Sequence, residues 1–234
     1  MIARNLDEIR RRIAVAAHLA HRNPADIRLI AVSKTFPAED VIAAAAAGQR
    51  DFGENRVQEG VPKIDATSAG GLLDWHLIGH LQSNKAKKAA TSFAWIHSVD
   101  SLELLNKIDH AAADVGTNPR VLIQVDLAHE ATKSGADAFN VPAIAHAAQS
   151  GRAVQLAGLM TVPPAAANPE DARPWFRQLR ELRDQLVANG IPADSLRELS
   201  MGMSHDFEIA IAEGATMVRV GSAIFGKRAY PATL

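Results

Sequence analysis

The sequence predicts an α/β protein built on a parallel sheet, and three observations carry that prediction. Eight short apolar runs, at residues 27–33, 51–54, 75–79, 95–99, 121–126, 155–161, 198–201 and 217–221, have strand length. Stretches with helical spacing separate them, at residues 38–47, 56–65, 84–90, 101–113, 136–149, 169–188 and 205–213. Gly48, Gly116, Gly151, Gly190 and Gly214 each follow such a stretch, where a left-handed residue ends a helix. Strands alternating with helices imply a sheet buried on both faces. Eight is the closing number of a (β/α)8 barrel, and a doubly wound open sheet is the alternative that periodicity leaves open.

An extra helix precedes the first strand, because Leu6, Ile9, Ile13 and Ala16–Ala17 share one side over residues 6–20. The first strand run, Ile27-Arg28-Leu29-Ile30-Ala31-Val32-Ser33-Lys34, is nearly all apolar and stops at the turn residues Phe36-Pro37. Asp51-Phe52-Gly53-Glu54-Asn55 ends in polar residues, and Arg56 and Glu59 beyond it read as solvated helix positions. Val162-Pro163-Pro164-Ala165-Ala166-Ala167 is an extended loop after the sixth run, not a tether between domains. No linker or shift in composition divides the chain, so one domain is expected over residues 1–234.

Composition narrows the function. Hydrophobic residues make up 47% of the chain, enough for a substantial core. Lys+Arg number 25 and Asp+Glu 26, a net charge of -1 that gives no support to nucleic-acid or membrane partners. With no cysteine, disulfides, thiolate catalysis and cysteine-ligated metals are excluded. Acids stand near the N-terminus where a signal peptide needs basic and then apolar residues, and no apolar run approaches the roughly 20 residues of a membrane span. A cytoplasmic protein is expected.

If the strands are parallel, the polar residues at their carboxyl ends converge on one rim. Lys34 is the first of them. Held at the edge of an apolar site, a lysine amine can lose its proton and form a Schiff base with an aldehyde; the plainer alternative is a surface lysine closing a strand. Ser200-Met201-Gly202-Met203-Ser204-His205-Asp206 passes from strand to helix, with Gly202 permitting close approach and Ser204 suited to an N-cap. Met217-Val218-Arg219-Val220-Gly221-Ser222 adds a second glycine turn, so the last two strand ends suggest a phosphate site, with ordinary helix capping as the alternative. Alternation directs Arg219 inward while Val218 and Val220 face the helices, and its partner is then either a ligand or Asp126 or Glu198. His76 and His80 flank a glycine on a strand end, not a helix face, so no metal site is expected. Gly-x-Ser-x-Gly, Walker A and Gly-x-Gly-x-x-Gly motifs are absent.

Taken in order, several segments resemble one family: Ala31-Val32-Ser33-Lys34-Thr35, Phe52-Gly53-Glu54-Asn55, His76-Leu77-Ile78-Gly79, Lys133-Ser134-Gly135, Leu199-Ser200-Met201-Gly202-Met203-Ser204 and Val218-Arg219-Val220-Gly221-Ser222. The chain resembles the pyridoxal 5′-phosphate (PLP) homeostasis proteins of the alanine racemase N-terminal-domain type, from about residue 5 to residue 230. The resemblance implies a single (β/α)8 TIM barrel that binds PLP as an aldimine of Lys34. It further implies that Ser204, Gly221 and Ser222 bind the phosphate, that Arg219 lies near the pyridine nitrogen and that Asn55 lines the site, with His76 and Met201 as further lining candidates. Phe36 stands where many relatives carry a second lysine, and Ser222 keeps the hydroxyl of a common threonine.

The same resemblance implies a role in vitamin B6 homeostasis, buffering PLP and delivering it to apo PLP-dependent enzymes, as a monomer and without turnover. Arginine beside the ring nitrogen does not surrender a proton and leaves a weak electron sink. Racemases of this type draw a second acid–base group from a domain after the barrel, and this chain ends at Leu234 with its sole tyrosine at Tyr230. A small PLP-dependent racemase or lyase is one alternative, and a Schiff-base aldolase acting on a sugar phosphate is another. Lys133 and the cluster Lys85, Lys87 and Lys88 read as solvated lysines in preference to a second PLP contact.

Overall fold

The apolar runs pair edge to edge in chain order and close on themselves. The strands are β1 (Arg28–Val32), β2 (Asp51–Glu54), β3 (Asp74–Leu77), β4 (Trp95–Val99), β5 (Arg120–Gln124), β6 (Gln155–Met160), β7 (Glu198–Met203) and β8 (Met217–Val220). Each pairs in parallel with the next, and β8 returns to β1 through the register Ile30 to Arg219. This computed structural model, which describes residues 1–68, 71–129 and 134–226, is therefore a (β/α)8 barrel and not an open sheet.

The helices are α1 (Ile2–Leu19), α2 (Ala38–Ala46), α3 (Val57–Thr67), α4 (Ala86–Ser92), α5 (Leu102–Val115), α6 (Val141–Gln149), α7 (Arg173–Ala188), α8 (Phe207–Ala212) and α9 (Ser222–Phe225). The extra helix α1 buries Leu6, Ile9, Ile13, Ala16 and Ala17, the side its spacing predicts. It packs on α8 and α9, where Asn5 donates to the Ile224 carbonyl at 2.8 Å and Arg12 pairs with Glu208. Helix α5 begins and ends on its sequence signals: the Ser101 hydroxyl accepts from the Leu104 amide at 3.2 Å, and Gly116 is left-handed at φ 72.

Other boundaries differ from expectation for local reasons. Short 3-10 turns take over the starts expected for α6 and α7, with the Asp137 and Asn168 side chains capping them. Gly151 is not left-handed, unlike Gly48, Gly116, Gly190 and Gly214. It lies instead against Val154 and Asp109, whose carboxylate accepts from the Arg152, Ala153 and Val154 amides.

Burial falls into two layers. Alternate strand residues such as Ala31, Leu77, Val218 and Val220 face the helices and form the larger core. Ile30, Trp95, Leu122, Ala157, Met160 and Met217 fill the barrel interior. Ile30, Leu122, Met160 and Met217 each contribute about 1.5–3 kcal/mol by that burial. The interior is not wholly apolar: His76, His97, Ser200 and Arg219 are also buried.

Candidate functional site

Lys34 sits just beyond β1, on a turn closed by the Phe36 amide donating to the Ser33 carbonyl at 3.0 Å. Thr35 in that turn is left-handed at φ 69, an unusual conformation for a β-branched residue, costing of order 1–3 kcal/mol. Neighbouring groups hold it there. The Thr35 amide donates to the Glu59 carboxylate, and the Ser33 hydroxyl donates to Glu54 Oε1 at 2.7 Å. Buried Lys63 Nζ joins the Ser33 carbonyl, Glu54 and Glu59 at 2.8, 2.8 and 3.1 Å. Burial raises the Glu54 carboxyl above its ordinary value, outweighing its bonds to Lys63 and Ser33. Glu59 is thus not a solvated helix residue, and Glu54 is not on the rim: both brace the lysine turn from behind.

Lys34 opens onto a cleft of ≈ 360 Å³ at the carboxyl ends of the strands. Asn55, Ser204, Arg219, Gly221 and Ser222 line the same cleft, with Val32, Ile78, Val162 and Met203 as its apolar walls. Gly79 brings Asn55 in, since a Cβ there would collide with the Asn55 carbonyl. At the opposite wall, Ser204 Oγ accepts from the Gly221 amide at 3.3 Å and lies 3.5 Å from Ser222 Oγ. A Cβ on Gly221 would stand 3.2 Å from the Val32 carbonyl, so glycine lets this turn lie against β1. Phe36 packs on Phe225 at 5.1 Å and ties the lysine turn to α9, a short helix the sequence did not suggest.

Ser204 is not a helix cap. Helix α8 starts later than expected, at Phe207, because the Asp206 carboxylate accepts from the Met203 amide at 2.6 Å and makes a turn first. The Ser204 hydroxyl therefore faces the cleft's glycine turn. His205, also lining the cleft, reaches the Ala167 carbonyl at 3.1 Å and holds the loop after β6.

Arg219 faces inward and is 4% exposed. It donates to Ser200 Oγ at 2.6 Å and to the Thr161 carbonyl at 2.9 Å, not to Asp126 or Glu198. Burial pulls its pKa down to about 10, with the Asp206 charge opposing, so it stays charged at neutral pH.

Two expected lining residues lie elsewhere. His76 is fully buried deeper in the barrel, between Asp51 and His97. Met201 alternates outward from Ser200 into the core beneath the helices. Lys85 borders a separate polar pocket with Arg56 and His80, and Lys87 and Lys88 are exposed. Lys133 lies outside the described residues. Among the described residues no cluster of acids and histidines suits a metal. A larger groove between α1 and α8, ≈ 530 Å³, is lined by Val15, Leu19 and Ala212 among others and holds no lysine or serine.

The chain matches the family described as alanine racemase, N-terminal domain, over residues 4–229. It is 44% identical to the pyridoxal phosphate homeostasis protein of Pseudomonas aeruginosa, over 99% of this chain and 97% of that one. It is 42% identical to the protein of the same name from Aquifex aeolicus, over 96% and 97%. The solved structure of PipY from Synechococcus elongatus with PLP bound is 40% identical and superposes with a TM-score of 0.85 over 97% of this chain and all (100%) of that one. Alanine racemase of Clostridium difficile, at 19% identity and a TM-score of 0.74 over 99% of this chain and 57% of that one, shares the fold.

Proposed function

Because this chain belongs to the alanine racemase N-terminal-domain family, and within it to the pyridoxal phosphate homeostasis proteins, we propose that it binds PLP in the Lys34 cleft and keeps that reactive aldehyde available to other proteins. One observation carries the reading: a lysine, a buried arginine and a two-serine glycine turn line the same cleft. The residues fit the group. Lys34 supplies the amine for a Schiff base, releasing one water. The hydroxyls of Ser204 and Ser222 with the Gly221 backbone suit a phosphate, and Val32, Ile78, Val162 and Met203 suit a ring face. Bound PLP supplies an electrophilic aldehyde and a pyridine ring able to accept electron density.

Arg219 argues for holding over turnover. A guanidinium at the ring nitrogen donates a hydrogen bond without giving up its proton, which leaves electron withdrawal weak. Condensation at Lys34 is reversible, so the cofactor can pass to apo PLP-dependent enzymes, and the reading carries a cytoplasmic monomer. No helix among the described residues is long and apolar enough to cross a membrane. A racemase or lyase has one residue in its favour, since His205 is a titratable group on the cleft wall.

An absorbance spectrum with and without borohydride tests the proposal. The wild type should take up PLP with a visible band that borohydride removes and that Lys34→Ala lacks. Uptake by Lys34→Ala equal to wild type would remove Lys34 from the reading. Exchange of an amino acid's α-proton with D2O solvent, lost in His205→Ala, would favour turnover.

A further inference from the structure

A column of buried polar side chains crosses the barrel from its base to the cleft. Arg219 Nη1 donates to Ser200 Oγ at 2.6 Å, and Ser200 Oγ lies 2.9 Å from His97 Nδ1. His97 Nε2 is 3.0 Å from His76 Nδ1, and His76 Nε2 is 3.0 Å from Asp51 Oδ1. Arg28 Nη1 donates to the same Asp51 oxygen at 3.0 Å. His76, His97 and Ser200 are each 0% exposed. The ring of His76 stacks on Trp95 at 5.4 Å, which fixes its plane.

The two ends dictate the direction of every bond between them. Arg219 can only donate, so Ser200 accepts from it and has its own O–H to give. Asp51, held by Arg28, can only accept, so His76 Nε2 carries a proton toward it. A neutral His76 then accepts at Nδ1, which requires His97 to be protonated at Nε2. His97 Nδ1 is left as the acceptor for the Ser200 hydroxyl. Reversing either histidine would set two lone pairs face to face, at Asp51 or between the rings. A charged His97 would sit one residue from the Arg219 guanidinium in a dry interior.

We propose that Asp51, His76, His97 and Ser200 form a positioning relay for Arg219, a one-way hydrogen-bond chain that fixes the guanidinium as a donor to the ligand in the Lys34 cleft. The relay commits the Ser200 lone pair to Arg219 and anchors the guanidinium to the barrel's base, so its orientation is set before any ligand arrives. The effect on PLP rests on the cofactor reading above; the direction of the relay does not.

Long-range 1H–15N correlation spectra of ligand-free, 15N-labelled protein test the direction. His76 and His97 should both be protonated at Nε2 alone at pH 7.5, and a proton on Nδ1 of either overturns the relay. PLP titrations then test its reach. Ser200→Ala should weaken uptake roughly tenfold or more and shift the absorbance maximum, and Ser200→Thr should restore both. If Ser200→Ala does not fold, His97→Leu against His97→Gln makes the same comparison, because the Gln amide can accept from Ser200 and donate to His76. Wild-type affinity and spectrum in Ser200→Ala or His97→Leu would overturn the role. A wild type that takes up no PLP sinks the cofactor reading and the relay's effect on that ligand, while the tautomers still decide whether the relay exists.

Discussion

Lys34 owes its place to residues that never reach the cleft. Lys63, Glu54, Glu59 and Ser33 hold a left-handed Thr35 in the turn that carries it. Lys63→Met would leave Glu54 buried opposite a methyl group and should destabilise the protein by roughly 3–5 kcal/mol near neutral pH. Burial already raises the Glu54 carboxyl, and loss of Lys63 raises it further. A carboxyl whose folded pKa is raised loses stability as pH rises through that pKa, so the loss should be smaller at pH 5 than at pH 8. Urea denaturation at both values checks this, and Lys63→Met with Glu54→Gln should recover most of the stability. A loss independent of pH, or no recovery in the double variant, would mean that packing and not charge is at stake. The lysine was legible in the sequence because a strand end is a local pattern. The brace was not: Glu59 and Lys63 lie at i, i+4 on a helix, a spacing that equally describes a solvated pair.

At the scale of elements, the strand positions were readable to within a residue or two, since apolar runs bounded by turns leave few alternatives. What failed were the short pieces. Helix α9 is four residues, too short for a periodic signal, and α8 yields its expected first turn to the Asp206 contact. That turn depends on Gly202, which is left-handed at φ 91; a Cβ there would meet Ala210 Cβ at 2.6 Å and Phe207 Cα at 2.9 Å. Gly202→Ala should cost roughly 2 kcal/mol or more from strain and overpacking together. Because Ser204 lies two residues on, the variant should also weaken PLP uptake beyond what its stability loss explains. Calorimetric melting beside a PLP titration separates the two. Full uptake in a destabilised but folded Gly202→Ala would show that the serine turn tolerates movement of α8.

For the whole molecule, closure was the step that periodicity could not supply: it depends on Ile30 meeting Arg219 across almost the entire chain, and no local pattern encodes that pairing. The same closure seals His76 and His97 inside the barrel, out of reach of sequence reading, because an isolated strand histidine carries no sign of its partners. Sealing has a measurable consequence. Burial lowers the pKa of His76 and lowers that of His97 well below 6.5, the latter reinforced by its closeness to His76, since the adjoining rings disfavour two protons, and by the Arg219 charge. The unfolded chain protonates both near pH 6.5 and the folded protein resists it, His97 more than His76, so stability present above that pH is lost as pH falls through it. Between pH 7.5 and 6.0 the loss from His97, which burial holds neutral over that range, should be about 0.8 kcal/mol, and His76, which Asp51 helps to charge, adds a smaller loss. Glu54 and Asp206, raised by burial above 4.5 and 3.8, act in the opposite sense and offset part of the loss further into acid. Urea denaturation of wild type and His97→Gln at the two pH values isolates the effect. The variant should lose less than the wild type, because the imidazole that resists protonation more strongly is gone. Equal losses would mean that water reaches the barrel interior and that these histidines titrate in the folded protein.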